Sequence, residues 1–423
     1  MREYFSARLV LMGLGGLFAG GLILLEYVGP DKVMSSQIVL APAKENNNNN
    51  NNNKEIQQVV FVKVHKAASS TVQNILLRYA MTRELSVLLP KSGGVISEGG
   101  YSIPPSTVLP HPEGKERFDI LCNHIVYNEK EISKYFSDNA PRVAILREPM
   151  AQALSALVYY STVYPKTELL KGRRKFPSDP INGFLRHPQE FQPPNSKPLS
   201  SYINNRMSLD LGFETYKFYD SKNNESKIEQ FIKQLEEQFD FVLICEYFDE
   251  SMVLLRRYLR WSIKDIIYLR VNAAPSLPSS SPFLRKPNIT PEVKESFKQW
   301  DRIDYDVYEY FLTKFLNKLK SEPHFTEELG TFKVIESEVE NFCSKDNRNK
   351  IVEIPASNWT NEFTVTKQEC KVMMTPELSL VDTVRRMQLR RYNNHRRLLA
   401  SLRDSSNKSS SRNVSISSKQ LKN

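Results

Sequence analysis

From Ile56 onward the chain alternates between near-continuous apolar runs and segments whose apolar residues recur every three or four positions. IQQVVFVKV (56–64) has the first pattern and reads as a buried strand; SSTVQNILLRYA (69–80) has the second and reads as a helix. FDILCNH (118–124) and RVAILR (142–147) predict a second and a third strand. Pro149 stands where the first turn of a helix begins, leading MAQALSALVYY. Beyond a polar, proline-rich stretch (163–199), KIEQFIKQLEEQ predicts a helix, FDFVLICEYF (239–248) a strand and ESMVLLRRYLRW another helix. Strands that are apolar throughout, joined by helices, imply a parallel sheet covered on both faces. The expected fold is α/β, with three layers around a central parallel sheet.

The pattern before Ile56 is of another kind. Leu9 to Leu25, LVLMGLGGLFAGGLILL, carries no charge, and as a helix rising about 1.5 Å per residue it falls just short of an average bilayer. Tyr4, Phe5 and Tyr27 extend it into the interfaces. Arg2 and Arg8 precede it, whereas Glu26 and Asp31 follow, so the N-terminus stays cytosolic. The reading is a type II signal anchor, with a cleaved signal peptide as the alternative, although no clear A-x-A site follows. Gly16 and Gly20 form a GxxxG, a weak motif that would let two anchors pair in a homodimer. Eight consecutive asparagines, Asn46 to Asn53, then read as part of a flexible stem. The expected organisation is a cytosolic tail (1–8), a transmembrane anchor (9–28), a luminal stem (29–55), a folded luminal domain (56–400) and a disordered polar tail (401–423). Five N-x-[ST] sequons, at Asn224, Asn288, Asn358, Asn407 and Asn413, agree with luminal exposure.

Composition adds less. At 423 residues the chain can form one large or two modest domains. The formal charge of +10 suggests an anionic partner, but much of it lies after Val381, in VRRMQLRRYNNHRRLLASLR. That segment reads as a basic helical face or a final helix lying on the domain; with an anchor in front, no nucleic-acid partner is expected. Cys122 and Cys245 sit in or beside apolar runs and read as small buried side chains. Cys343 and Cys370 flank polar sequence and can form one disulfide in an oxidising lumen.

The chemistry begins where the first strand ends. His65-Lys66, two alanines and Ser69-Ser70-Thr71 join strand to helix, yet the Walker pattern GxxxxGK[ST] is absent. Such a turn aims backbone N–H groups and the positive end of a helix dipole at one point. Lys66 adds a charge, and Ser69, Ser70 and Thr71 add hydroxyls, which together suit a phosphate. A second candidate follows the third strand: Arg147, then Ser155 on the next helix. Two phosphate sites at the C-terminal ends of parallel strands describe a nucleotide phosphorylated at both ends.

These segments resemble the phosphosulfate-binding motifs of sulfotransferases. FVKVHKAASSTVQNIL, FDILCNH, LREPMAQALSALVYY, NNRMSLDLGF (204–213), FVLICEYFDESMVLLRRYLRW and QWDRIDYDVYEYF (299–311) together resemble the Golgi galactose-3-O-sulfotransferases. The resemblance implies a P-loop-NTPase-like sulfotransferase fold. It implies 3′-phosphoadenosine 5′-phosphosulfate (PAPS) as donor, held by Lys66, Ser69, Ser70, Thr71, Arg147 and Ser155. The acceptor it implies is a galactose-terminated glycan on a glycolipid or glycoprotein, as in galactosylceramide, sulfated at the 3-hydroxyl. The location it implies is the Golgi membrane, whose early secretory neighbours are thin enough for a short span. Alanine stands at 67 and 153, where the family usually has threonine and a bulkier aromatic. Lys66 would neutralise the departing 5′-phosphate, and His124, ending the second strand on the same rim, is the expected base. His65 is its rival. Arg206 could meet the acceptor or be paired structurally. The remaining histidines, 111, 187, 324 and 395, lack metal-ligand spacing, so no metal is expected. Other acceptor sugars, as in glycosaminoglycans, and a catalytically silent glycan-binding protein are the alternatives.

Overall fold

A computed structural model of the chain describes residues 54–97, 102–163, 174–192, 197–214, 217–270, 289–345 and 350–420. The expected anchor, nearly all of the stem and the Asn288 sequon lie outside these residues. Four strands form the central sheet: β1 (Val59–Val62), β3 (Ile120–Leu121), β5 (Arg142–Leu146) and β6 (Phe241–Ile244). Their order is β3-β1-β5-β6 and every pair is parallel, as the apolar runs predict. All residues of β1 and β5 are buried. With β3 on one side of β1 and β5 on the other, the sheet's connections part at the C-terminal end of β1, where such sheets open a ligand crevice. Helix α1 (Ser69–Thr82) follows β1, and α2 (Pro149–Val163) follows β5, with Pro149 in its first turn.

Two expected strands are shorter than their apolar runs. The second is split: β3 stays in the central sheet, while β4 (His124–Ile125) pairs in parallel with β2 (Val95–Ser97). At the break Asn123 is fully buried and its amide donates to Gly94 O at 3.1 Å, a polar contact that draws the chain off the sheet. The fourth ends at Ile244, because Ser251 Oγ lies 3.0 Å from both the Ile244 N–H and its carbonyl. Helix α4 (Glu225–Gln238) leads into this strand, and α5 (Phe248–Leu259) begins after a short turn at its end. The stretch 163–199, polar on average, contains the helix Pro180–Arg186, whose Phe184 and Leu185 are fully buried among α2 residues and Phe297 and Trp300 of helix α6 (Pro291–Trp300).

The two later motifs clasp each other. Helix α3 (Arg206–Asp210) is capped by carboxylates from the segment that opens α7 (Arg302–Ser321). Asp304 accepts from the Met207 N–H at 3.0 Å, the Ser208 N–H at 2.7 Å and Ser208 Oγ at 2.6 Å, and Asp301 accepts from the Asn205 N–H. Gly212, at φ +95°, follows α3 and lies against the segment after β4; a Cβ there would lie 2.5 Å from Tyr127 O. The clasp holds α3 over the end of β1.

Helix α8 (Phe325–Ser344), the antiparallel pair β7 (Ile351–Ile354) and β8 (Phe363–Thr366), and α9 (Lys367–Met373) complete the body. Cys343 and Cys370 form the expected disulfide, and Cys122 is buried. The last helix, α10 (Glu377–Gln420), lies on the domain with Leu380, Val381 and Val384 buried. It continues through Gln420, into the stretch read from composition as a disordered tail.

Candidate active site

The loop between β1 and α1 is held by its backbone. The His65 N–H donates to Asp210 Oδ2 at 2.8 Å, Gln152 Nε2 donates to His65 O at 3.1 Å, and Arg147 Nη1 donates to Lys66 O at 3.1 Å. Lys66 and Ala68 both adopt φ +59°, a left-handed geometry that costs about 1–2 kcal/mol for a residue with a Cβ. Only such outside contacts keep a strained turn of this kind in place. Ser69 Oγ donates to Val64 O at 2.6 Å, which commits that hydroxyl to closing the turn. The Thr71 N–H closes on Ala68 O at 3.0 Å. Ser70 remains at the exposed head of the helix.

Three cations gather here: Lys63, Lys66 and Arg147. Lys66 Nζ sits 3.8 Å from the centre of the Tyr159 ring. Burial, then the neighbouring charges of Arg147 and Lys63, lower its pKa to about 8. Arg147 is buried, and its Nε has no partner among the described residues. Ser155 is half-buried one helical turn before Tyr159, on the face of α2 that reaches Lys66. Glu148, between Arg147 and Pro149, accepts from the Ala151 N–H at 2.7 Å and serves as a cap.

The expected base stands beside a lysine that the sequence reading passed over. Lys63, almost fully buried, places Nζ 3.0 Å from His124 Nε2, 3.2 Å from Ser70 Oγ and 3.1 Å from Glu377 Oε2. His124 Nδ1 is 3.0 Å from Lys63 O, a carbonyl that requires a proton on that nitrogen. The Nε2 lone pair therefore faces the Lys63 ammonium. Burial first, then Lys63, His65 and Arg206, keep the His124 pKa well below the usual histidine value, so the ring is neutral at neutral pH.

The His65 ring stacks on His124 with centroids 4.0 Å apart, but its Nδ1 donates to Asp210 Oδ2 at 2.7 Å. Burial alone would raise the Asp210 pKa; Arg206 and His65 instead hold it below the ordinary value. Arg206, with essentially no exposure, donates to Asp210 Oδ1 at 3.0 Å and to the carbonyls of Leu199 and Ser201. Of its two readings, structural pairing is the one observed.

The structure thus brings Lys66, Ser70, Arg147 and His124 to one end of the sheet, and adds Lys63, Asp210 and Glu377. Lys63 left a signal, a charge inside the apolar run VVFVKV. Asp210 left a fainter one, four residues after Arg206 on a helix. Glu377 left none.

Comparison with known proteins agrees with this chemistry. A family model described as galactose-3-O-sulfotransferase matches residues 2–354. The chain is 30% identical to galactose-3-O-sulfotransferase 2 of Sus scrofa over 353 residues, 76% of this chain and 82% of that protein. It is 33% identical to galactose-3-O-sulfotransferase 2 of Homo sapiens over 270 residues, 63% of this chain and 62% of that one. It is 30% identical to the galactosylceramide sulfotransferase of Mus musculus over 267 residues, 63% of this chain and 58% of that protein. No solved structure matches it. The chain is a sulfotransferase, and it belongs to the galactose-3-O-sulfotransferase family.

Proposed function

We propose that the protein moves a sulfuryl group from PAPS to the 3-hydroxyl of a terminal β-galactose, on a glycolipid or glycoprotein glycan, at the luminal face of a Golgi membrane. One observation carries this reading: a neutral histidine lies at the strand ends beside a loop that concentrates cations at a helix N-terminus. A site that gathers buried Lys63 and Arg147 with half-buried Lys66 calls for an anionic substrate, because cations drawn out of water gain by pairing with an anion.

The chemistry is an in-line displacement. The acceptor hydroxyl oxygen forms a bond to sulfur as the bond from sulfur to the bridging phosphate oxygen breaks. The hydroxyl proton passes to His124 Nε2, and the leaving 3′,5′-phosphoadenosine takes the electron pair. Lys66 faces the charge that grows on the 5′-phosphate, with Ser70 and Thr71 beside it, and Arg147 and Ser155 serve the 3′-phosphate. Ser69 supports the loop through Val64 O. His124 must exchange Lys63 for the acceptor hydroxyl at Nε2, and Lys63 then has an ammonium to offer the transferring group.

The test is transfer of radiolabelled sulfate from PAPS to galactose-terminated glycolipids, N-glycans and O-glycans, with glycosaminoglycan acceptors alongside. Linkage analysis is expected to find label at O3 of galactose. Label confined to a uronic acid or amino sugar would replace the acceptor assignment. Absence of transfer to every acceptor, with the nucleotide bound, would favour a silent glycan-binding protein.

A further inference from the structure

Glu377 opens α10, beyond residue 354 where the family match ends, and its carboxylate enters the transfer site. Oε2 accepts from Ser70 Oγ at 2.6 Å and from Lys63 Nζ at 3.1 Å. A hydroxyl and an ammonium at a helix head are the donors that such a loop offers to a phosphate or sulfate oxygen. The carboxylate is an anion at neutral pH: burial would raise its pKa, but Lys63 and the Ser70 hydroxyl hold it below the usual range.

Its position is set by the helix behind it. Gln388 pairs with Val87 like a neighbouring strand, its Nε2 donating to Val87 O at 2.9 Å and its Oε1 accepting from the Val87 N–H at 2.5 Å. Arg385 Nε donates to Pro90 O at 3.0 Å. Leu378 lies so close to Gly94 that a Cβ there would come within 2.9 Å of Leu378 Cδ2. These contacts direct Glu377 onto the loop, where Ser69 has already committed its hydroxyl to Val64 O.

We propose that Glu377 is a positioning residue of the transfer site. In the free enzyme its carboxylate takes the place of a donor oxygen on Ser70 and Lys63, and donor binding displaces it. The inference rests on the proposed function and adds that donor affinity is set by a competition with a side chain of the same molecule. While Glu377 is seated, it also helps to hold Lys63 in the position that occupies His124 Nε2.

The test is calorimetric titration of the full chain with 3′,5′-phosphoadenosine, for wild type, Glu377→Gln and Glu377→Asp. The glutamine variant is expected to bind roughly tenfold more tightly and to show a lower KM for PAPS. Without nucleotide it should melt at a lower temperature than wild type, since it loses the ion pair, yet its nucleotide-induced shift should be larger. Glu377→Asp, which keeps the charge on a shorter stem, is expected to fall between the two and covers the case of a glutamine variant that does not fold. A purely structural Glu377 would lower the melting temperature and weaken binding together. Unchanged or weaker binding by the folded variants would overturn the inference while leaving the proposed function intact. Failure of wild type to bind the nucleotide would overturn both.

Discussion

His65 and His124 stack within one ring's width of each other, yet their surroundings differ in sign. His65 has a carboxylate at its Nδ1, tied in turn to Arg206, and its own N–H and carbonyl are both held. His124 has an ammonium at Nε2 and a carbonyl at Nδ1. A histidine with a carboxylate behind it resembles a catalytic pair at first sight. Here that pairing fixes the loop, because the same Asp210 oxygen also takes the His65 backbone N–H. Burial first, and then the cationic neighbour, keep the other ring neutral, with its Nε2 lone pair facing Lys63, and a neutral ring is what the proposed base requires. The ring bound to a carboxylate holds the loop, and the ring facing a cation is the one that the proposed mechanism uses as base.

The comparison can be broken from either side. The largest expected effect is on the loop that both rings flank. Lys66→Ala removes a half-buried charge of the proposed donor site and should weaken 3′,5′-phosphoadenosine binding by about 2–5 kcal/mol, roughly thirty- to several-thousandfold. Calorimetry reads this directly, and unchanged affinity would remove Lys66 from the donor site. An effect of similar size is expected on the scaffold side. Asp210→Asn leaves the fully buried Arg206 without its charged partner and should lower the unfolding free energy by about 3–5 kcal/mol. A melting temperature equal to wild type would show that the pair does not hold the loop. The smallest effect is a pH dependence. Lys66 is charged below its pKa of about 8 and neutral above it, and an anionic donor favours the charged form. Affinity should therefore be full below pH 8 and fall by up to about tenfold per unit as pH rises through it. Lys66→Arg, which stays charged, should flatten the fall; a profile that falls equally in both would assign the titration elsewhere.

How much of this was legible depended on whether the signal was local. The turn from β1 into α1 could be read because an apolar run stops and a helical pattern headed by hydroxyl residues begins within a few positions. Arg147 and Ser155 could be read for the same reason, from one strand end and the helix after it. The disulfide was suggested by its polar flanks, and the structure forms it. Lys63 was overlooked because a charge inside an apolar run reads as an interruption, although burying it against a histidine, a serine and a glutamate satisfies it. The buried helix at Pro180–Arg186 escaped notice because proline and polar residues around it diluted Phe184 and Leu185. Glu377 is about three hundred positions from the loop it touches. No local pattern encodes that contact, which follows from where α10 lands on Val87 and Pro90.

The most direct measurement is a single turnover with PAPS already bound, comparing His124→Ala with His65→Ala against a galactose-terminated acceptor. His124→Ala is expected to keep nucleotide affinity and lose about 10²–10⁴ of the transfer rate. His65→Ala should instead lose stability and donor affinity, with a smaller loss in the rate of the preloaded complex. If His124→Ala transfers sulfate at the wild-type rate while His65→Ala does not, the roles of the two rings are reversed and the account is wrong.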